Sequence, residues 1–148
     1  MRMNQTTDHA IRIILLLATK KSIVSSNEMA EQTEVSRRYL FKVISKLRDA
    51  GIISVIRGSE GGYRLSKPPE SISLYDIILL MEGPLQLPDH VYSTAQDNAL
   101  GSAYIFFKDL YVDYTRMLTI DKLIYCTKSD ILHLMYEMVL RKKTDLFS

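Results

Sequence analysis

The apolar positions follow helical spacing along most of the chain, with one break near the middle. From about Thr7 to Thr19, DHAIRIILLLAT is apolar on nearly every side, which predicts a buried helix. Thr6 or Thr7 is placed to cap it, and Asp8 and Arg12 stand four residues apart as an ion pair. Ser25-x-x-Glu28 reads as a capping box opening a short helix, roughly Ser26 to Gln32. Thr33-Glu34-Val35 makes a turn, with Val35 plugging the angle between two helices. Ser36 then caps a helix whose stripe of Leu40, Val43, Ile44 and Leu47 must face a core. The opposite face carries Arg38, Lys42, Ser45 and Asp49, with Arg37, Lys46 and Arg48 on the shoulders, and Gly51 stops the helix.

The helical period then gives way to two β-prone runs, Ile52 to Arg57 and Tyr63 to Ser66. Gly58-Ser59-Glu60-Gly61-Gly62 between them is a hairpin tip whose glycines permit positive φ. After Lys67-Pro68-Pro69 comes a second capping box, Ser73-x-x-Asp76, with Ile72 and Ile77 as a hydrophobic staple. That helix runs Leu74 to Glu82 and ends at Gly83-Pro84. Leu85 to Gly101 has no clean period and reads as a long loop, a length usually functional or disordered. Beyond it Leu100, Ala103, Phe107, Leu110, Tyr114 and Met117 advance in heptad-like steps, the seam of a helix that meets another helix. A final helix, capped by Ser129 and running to about Lys143, is expected to bury Ile131, Leu134, Met135 and Met138. Two such helices with no third to cover them argue for a homodimer.

The expected fold is mainly α with a small β-hairpin wing: a winged helix-turn-helix DNA-binding domain plus a long dimerisation helix. Residues 1-84 form the DNA-binding domain, 85-101 a sensor or effector loop, and 102-148 the dimerisation helices. In such a layout the second helix enters the major groove by its N-terminal end. Ser36, Arg37, Arg38 and Tyr39 then lie nearest base edges, with Lys42 and Lys46 nearer the backbone. Arg57, Gly58, Ser59, Gly61, Gly62 and Tyr63 form a wing at the minor groove, where a glycine tip lets amides approach phosphates.

Charge supports this picture. Residues 1–68 hold 12 Lys+Arg against 6 Asp+Glu, and residues 69–148 hold 7 against 11, so a net +2 conceals a +6 half and a −4 half. The longest apolar run, Ile13 to Ala18, is too short to span a bilayer, so no membrane partner is expected. The N-terminus lacks a secretory pattern and the single cysteine, Cys126, suits a reducing cytoplasm. No nucleophile–base pair or nucleotide loop stands out, so no enzyme and no catalytic residue is expected; the wing glycines lack the G-K-[ST] of a P-loop. His133 and Glu137 lie at i, i+4, with His9, Asp89 and His90 elsewhere, but hydrogen-bonded or solvated histidines are the commoner reading than a metal site.

Leu47 to Leu85 carries a pattern, L-R-x-A-G-[LIV]-[LIV] followed by R-G-x-x-G-G-Y-x-L, a proline-containing connector and [ST]-L-x-D. The residues are Leu47, Arg48, Ala50, Gly51, Ile52, Ile53, Arg57, Gly58, Gly61, Gly62, Tyr63 and Leu65, then Ser73, Leu74 and Asp76. Upstream, Val35-Ser36-x-x-Tyr39-Leu40 and Ala10-Ile11-Arg12 extend it. This stretch resembles the IscR/NsrR/CymR regulators, the family usually called Rrf-two. The resemblance implies a homodimeric cytoplasmic transcription regulator, usually a repressor, bound to double-stranded DNA. Cluster-binding members carry three cysteines in the loop corresponding to Leu85–Gly101, whereas this loop has none, so no iron–sulfur cofactor is expected. Phe41 is a further departure, where many relatives place a polar or acidic residue. The input signal is then a small molecule, a partner protein or oxidation of Cys126. The competing readings are a winged-helix protein-interaction module without DNA binding, and a metal or redox sensor with non-cysteine ligands.

Overall fold

The computed structural model describes residues 4–88 and 99–147. Helix α1 (Gln5–Lys20) is followed by α2 (Ser26–Thr33), α3 (Arg37–Asp49), strands β1 (Ile53–Ile56) and β2 (Gly62–Leu65), and a 3-10 turn at Pro69–Ser71. Then come α4 (Leu74–Glu82), α5 (Ala99–Met117), α6 (Ile120–Tyr125) and α7 (Lys128–Phe147). The fold is a winged helix-turn-helix with a two-stranded antiparallel wing, continued by two long helices.

Helix α1 is the hub. Its Ala10, Ile13, Ile14, Leu17 and Ala18 are buried, and α2, α3, α4, α6 and β2 all pack on it. Each fully buried isoleucine contributes about 1.5–3 kcal/mol from water exclusion. The cap of α1 differs from the expectation at Thr6 or Thr7: Asn4 is the N-cap, its Oδ1 accepting from the Thr6 amide at 3.1 Å. Thr7 is fully buried and its hydroxyl donates instead to Glu82, at the far end of α4.

Local signals elsewhere fold as read. At the end of α3 the Ile52 amide donates to Leu47 O at 2.9 Å and the Gly51 amide to Arg48 O at 2.8 Å, with Gly51 at φ 70°. This Schellman closure buries Ile52 against the helix it follows and launches β1 directly from α3. At α4, Ser73 Oγ accepts from the Asp76 amide at 3.1 Å and Asp76 Oδ2 accepts from the Ser73 amide at 2.9 Å. The box at α2 is half-made. Ser25 Oγ accepts from the Glu28 amide, but the Glu28 carboxylate turns to Lys20 and Gln32.

The wing pairs Ile53 with Leu65, Ser54 with Arg64, Val55 with Tyr63 and Ile56 with Gly62. Val24 adds a one-residue third strand, exchanging both backbone hydrogen bonds with Tyr63 at 2.9 Å.

Helix α5 begins at Ala99, inside the stretch 85–101 expected as a long loop; residues 89–98, with Asp89 and His90, lie outside the described residues. Helix α6 is an element the sequence reading lacks. It returns the chain to the core: the Leu74 amide donates to Leu118 O at 2.7 Å and the Ile120 amide to Ile72 O at 2.9 Å. Ile120 is fully buried in the same cluster as α1, so the core draws on both sides of the expected boundary at 101/102.

Helix α7 is opened by Thr127 rather than Ser129. Thr127 Oγ1 accepts from the Asp130 amide at 3.2 Å, and the Asp130 carboxylate accepts from the Thr127 amide and hydroxyl, each at 2.7 Å. In this single chain Ile131, Leu134 and Met138 are only half-buried and Met135 is exposed, contrary to their expected burial. A salt bridge of 2.6 Å from Lys142 to Asp113 ties α7 back to α5.

Two outcomes follow from this geometry. A Cβ at Gly62 would sit 2.3 Å from Val24 O, so Gly62→Ala costs about 1–3 kcal/mol in urea unfolding. Ser59→Ala, at the exposed tip, should stay within about 0.5 kcal/mol. Hydrogen bonds from Thr127 hold the Asp130 carboxyl below its ordinary value. Protection of the first turn of α7 is therefore complete above the ordinary carboxylate range and is lost as pH falls through the depressed value. Amide exchange against pH reads this, and Asp130→Asn should weaken that protection already at neutral pH.

Candidate nucleic-acid interface

The helix-turn-helix is built by a tight reversal between α2 and α3. The Thr33 hydroxyl is buried and donates to Met29 O at 2.6 Å, Glu34 turns the chain at φ 56°, and Val35 is buried in the angle. With Leu40, Val43, Ile44 and Leu47 committed to the core, α3 has no freedom to roll, and its basic face is held outward.

On that face Ser36, Arg37, Arg38, Lys42 and Lys46 are exposed. Ser36 is the N-cap at the start of α3, but its side chain makes no capping hydrogen bond. Tyr39 is 48% exposed and meets the His9 ring of α1 edge-on at a centroid distance of 6.0 Å. His9 Nδ1 is buried without a hydrogen-bond partner among the described residues. Phe41 stands 50% exposed among these cations, an apolar side chain on a face that otherwise offers charge.

In the wing, Arg57, Gly58 and Ser59 are exposed, and the Gly61 amide donates to Gly58 O at 3.0 Å to close the tip. Gly61, Gly62 and Tyr63 are half-buried and sit differently from the exposed tip residues with which they were grouped. A Cβ at Gly61 would lie 2.2 Å from Ile56 O, and one at Gly62 2.3 Å from Val24 O. Both glycines are thus required by backbone crossing close to backbone. Tyr63 packs its ring against the core and its backbone on Val24, which tethers the wing to the α1–α2 connection. The tether has no sequence signal, because a single bridging residue produces no period.

The acids of this half are arranged selectively. Asp8 pairs with Arg12 at 2.9 Å, Glu28 with Lys20 at 3.1 Å and Asp49 with Arg48 at 3.1 Å. Among the described residues no acidic oxygen lies within 4 Å of Arg37, Arg38, Lys42, Lys46 or Arg57. These five unopposed cations share α3 and the wing, while Arg12 and Lys20 are neutralised away from them and Arg48 at the C-terminal end of α3. Such a surface attracts a polyanion at long range and pairs with it at contact.

The expected seam on α5 is largely open in the single chain. Leu100, Ala103 and Phe107 are exposed, and Leu110, Tyr114 and Met117 are half-buried. Phe107, Leu110 and Tyr114 line an apolar cleft of about 260 Å³ with Met135, Met138 and Val139 of α7. Tyr104, Phe106, Leu132, Tyr136 and Leu140 add further exposed apolar surface on the two helices. Cys126 is a free, half-buried thiol at the end of α6. His133 is exposed and Glu137 half-buried, and among the described residues no three His, Cys, Asp or Glu side chains converge on a metal position.

A family model described as Rrf2, iron-dependent transcriptional regulator, matches residues 3–125. The HTH-type transcriptional regulator NsrR of Bacillus licheniformis is 36% identical over 89 residues, covering 59% of this chain and 62% of that protein. The HTH-type transcriptional regulator CymR of Bacillus subtilis is 34% identical over 87 residues, covering 57% of this chain and 63% of that protein. The chain thus spans roughly three-fifths or less of the curated relatives it matches. Among solved structures, CymR (YrzC), the global cysteine regulator of B. subtilis, superposes with a TM-score of 0.74 at 27% identity, covering 86% of this chain and 99% of that one. IscR of T. potens gives 0.69 at 25% identity, covering 84% and 86%. With the match extending from the N-terminus through α6, the chain belongs to the Rrf2 family of transcriptional regulators.

Proposed function

We propose that this chain is a homodimeric DNA-binding regulator, a repressor, that reads a palindromic operator. Helix α3 enters the major groove by its N-terminal end and the Arg57–Tyr63 wing lies at the minor groove. The observation that carries the reading is the unopposed set Arg37, Arg38, Lys42, Lys46 and Arg57 on one helix and the wing launched from it. Exposed apolar side chains along α5 and α7 support a second copy as the other partner, since contiguous patches of this kind mark association surfaces. A two-fold pair would place two α3 helices for two half-sites.

The family description names iron, so the donor set has to be weighed against it. Iron–sulfur clusters are held chiefly by several thiolates. This chain has one cysteine, and it terminates α6. The residues present do not fit such a cluster, and the signal in this proposal is of another kind: a small molecule, a partner protein or the Cys126 thiol.

The experiment is binding of the purified protein to duplexes from its own upstream region, against random duplex, over a salt series. A palindromic fragment should be preferred, and log K should fall with log salt at about −0.9 per phosphate neutralised. Arg57→Ala should weaken binding across sequences and reduce that slope by about 1, with the dimer mass by light scattering unchanged. Arg38→Ala, nearer base edges, should cost about 1–3 kcal/mol and relax preference at one operator position. Binding that is insensitive to salt, or a folded dimer with no preference over random duplex, contradicts the proposal and favours a protein-interaction module.

A further inference from the structure

Between α4, the segment after it and α5 lies a cavity of about 490 Å³, within the usual range of small-ligand sites. Leu74, Ile78 and Leu85 give it an apolar wall, and Glu82, Gln86, Tyr111, Tyr114 and Thr115 are its polar lining residues, with the Thr115 hydroxyl already donating to Tyr111 O at 2.8 Å. Among the described residues no lysine, arginine or histidine lines it. Burial first, and then the charge of Glu82, hold the Tyr111 phenol above its ordinary value. One carboxylate with two tyrosines in an apolar lining is complementary to an ammonium group on an apolar body, and it repels an anion.

The same carboxylate is the clasp between α4 and α1. Glu82 Oε1 accepts from the Asn4 amide at 2.9 Å and from the Thr7 hydroxyl. Two residues along α1, His9 meets Tyr39 of α3. A cation that draws Glu82 into the cavity competes with the α1 N-terminus for it, and α1 is the element on which α3 is seated.

We infer that this cavity is an effector site for a small organic cation with an apolar body, coupled through Glu82 and the start of α1 to the DNA-reading helix. The inference rests on the regulator reading above and supplies its signal.

Calorimetry and tyrosine fluorescence on the full-length protein test it, with phenethylammonium and benzyltrimethylammonium as probes. Phenylpropionate and phenethyl alcohol serve as the anionic and neutral counterparts. The cations should bind in preference to both counterparts. Glu82→Gln keeps the acceptor for Asn4 and Thr7 but removes the charge, and should weaken the cations about tenfold with folding intact by circular dichroism. Leu85→Trp, which fills the cavity from a segment outside the helices, should abolish binding. Equal affinity for the three probe charges, or cation binding unchanged by both variants, overturns the site. No cation binding at millimolar concentration does the same, as when a second copy covers the cleft. DNA affinity is measured with and without cation on the same samples, with a change of about fivefold or more expected. Cation binding that leaves DNA affinity unmoved overturns the coupling. A protein that binds DNA but no cation loses this inference alone, whereas one that binds cation but no DNA loses the regulator reading and keeps the site.

Discussion

Helix α1 is apolar around almost its whole circumference, and the remaining elements are placed so as to cover it. Water exclusion on so many sides is only possible if α2, α3, α4, α6 and the second wing strand converge on one cylinder. That requirement fixes the orientation of α3, because its stripe of Leu40, Val43, Ile44 and Leu47 must point at α1. The basic face is then outward as a consequence. Apart from Tyr39, which meets the His9 ring of α1, the side chains of this basic face lie outside the packing that holds the helix.

The wing shows a different division of labour. Its tip residues Arg57, Gly58 and Ser59 are free of the core, while its base is fixed by close backbone approach at Gly61 and Gly62 and by the Val24–Tyr63 pairing. A hairpin of two four-residue strands is at best marginal in water by itself. Here each strand is held, β1 through Ile52 to α3 and β2 through Tyr63 to the α1–α2 connection. Arg57, at the end of β1, is therefore carried by a wing fixed relative to the cations of α3.

What could be read from the sequence was whatever rests on neighbours along the chain. The Gly51 stop, the Ser73–Asp76 box, the hairpin and the apolar stripe of α3 each need only residues within a few positions, and each forms as its spacing implies. The reading failed where another partner, distant or adjacent, outcompeted the expected one. Thr7 has the chemistry of a cap, but it is committed to Glu82, 75 residues away, and Asn4 caps instead. Thr127 displaced Ser129 as the start of α7 because Asp130 completes a reciprocal box only with Thr127. Periodicity also showed that α5 and α7 have apolar stripes without showing what covers them. In the single chain much of that surface stays open.

The return of α6 to the core changes how the two halves are related. A long helix carrying the proposed dimer seam would ordinarily act as a lever whose motion is separate from the domain it leaves. Here α5 is pinned at its C-terminal end, where Leu118 O accepts from the Leu74 amide and Ile120 is sealed in the α1 core. Along its length Thr115 and Tyr111 face the end of α4, and Arg116 stacks over Tyr75 of α4 at 4.8 Å. Helix α5 therefore moves with α4, and α4 is clasped to the first residue pairs of α1 by Glu82. Because packed interiors resist gradual deformation, a shift of α5 is passed on as a displacement of α4 and α1 together. The distance between two α3 helices in a dimer is then a property of the α4–α5 contact, and that contact is where the cavity lies.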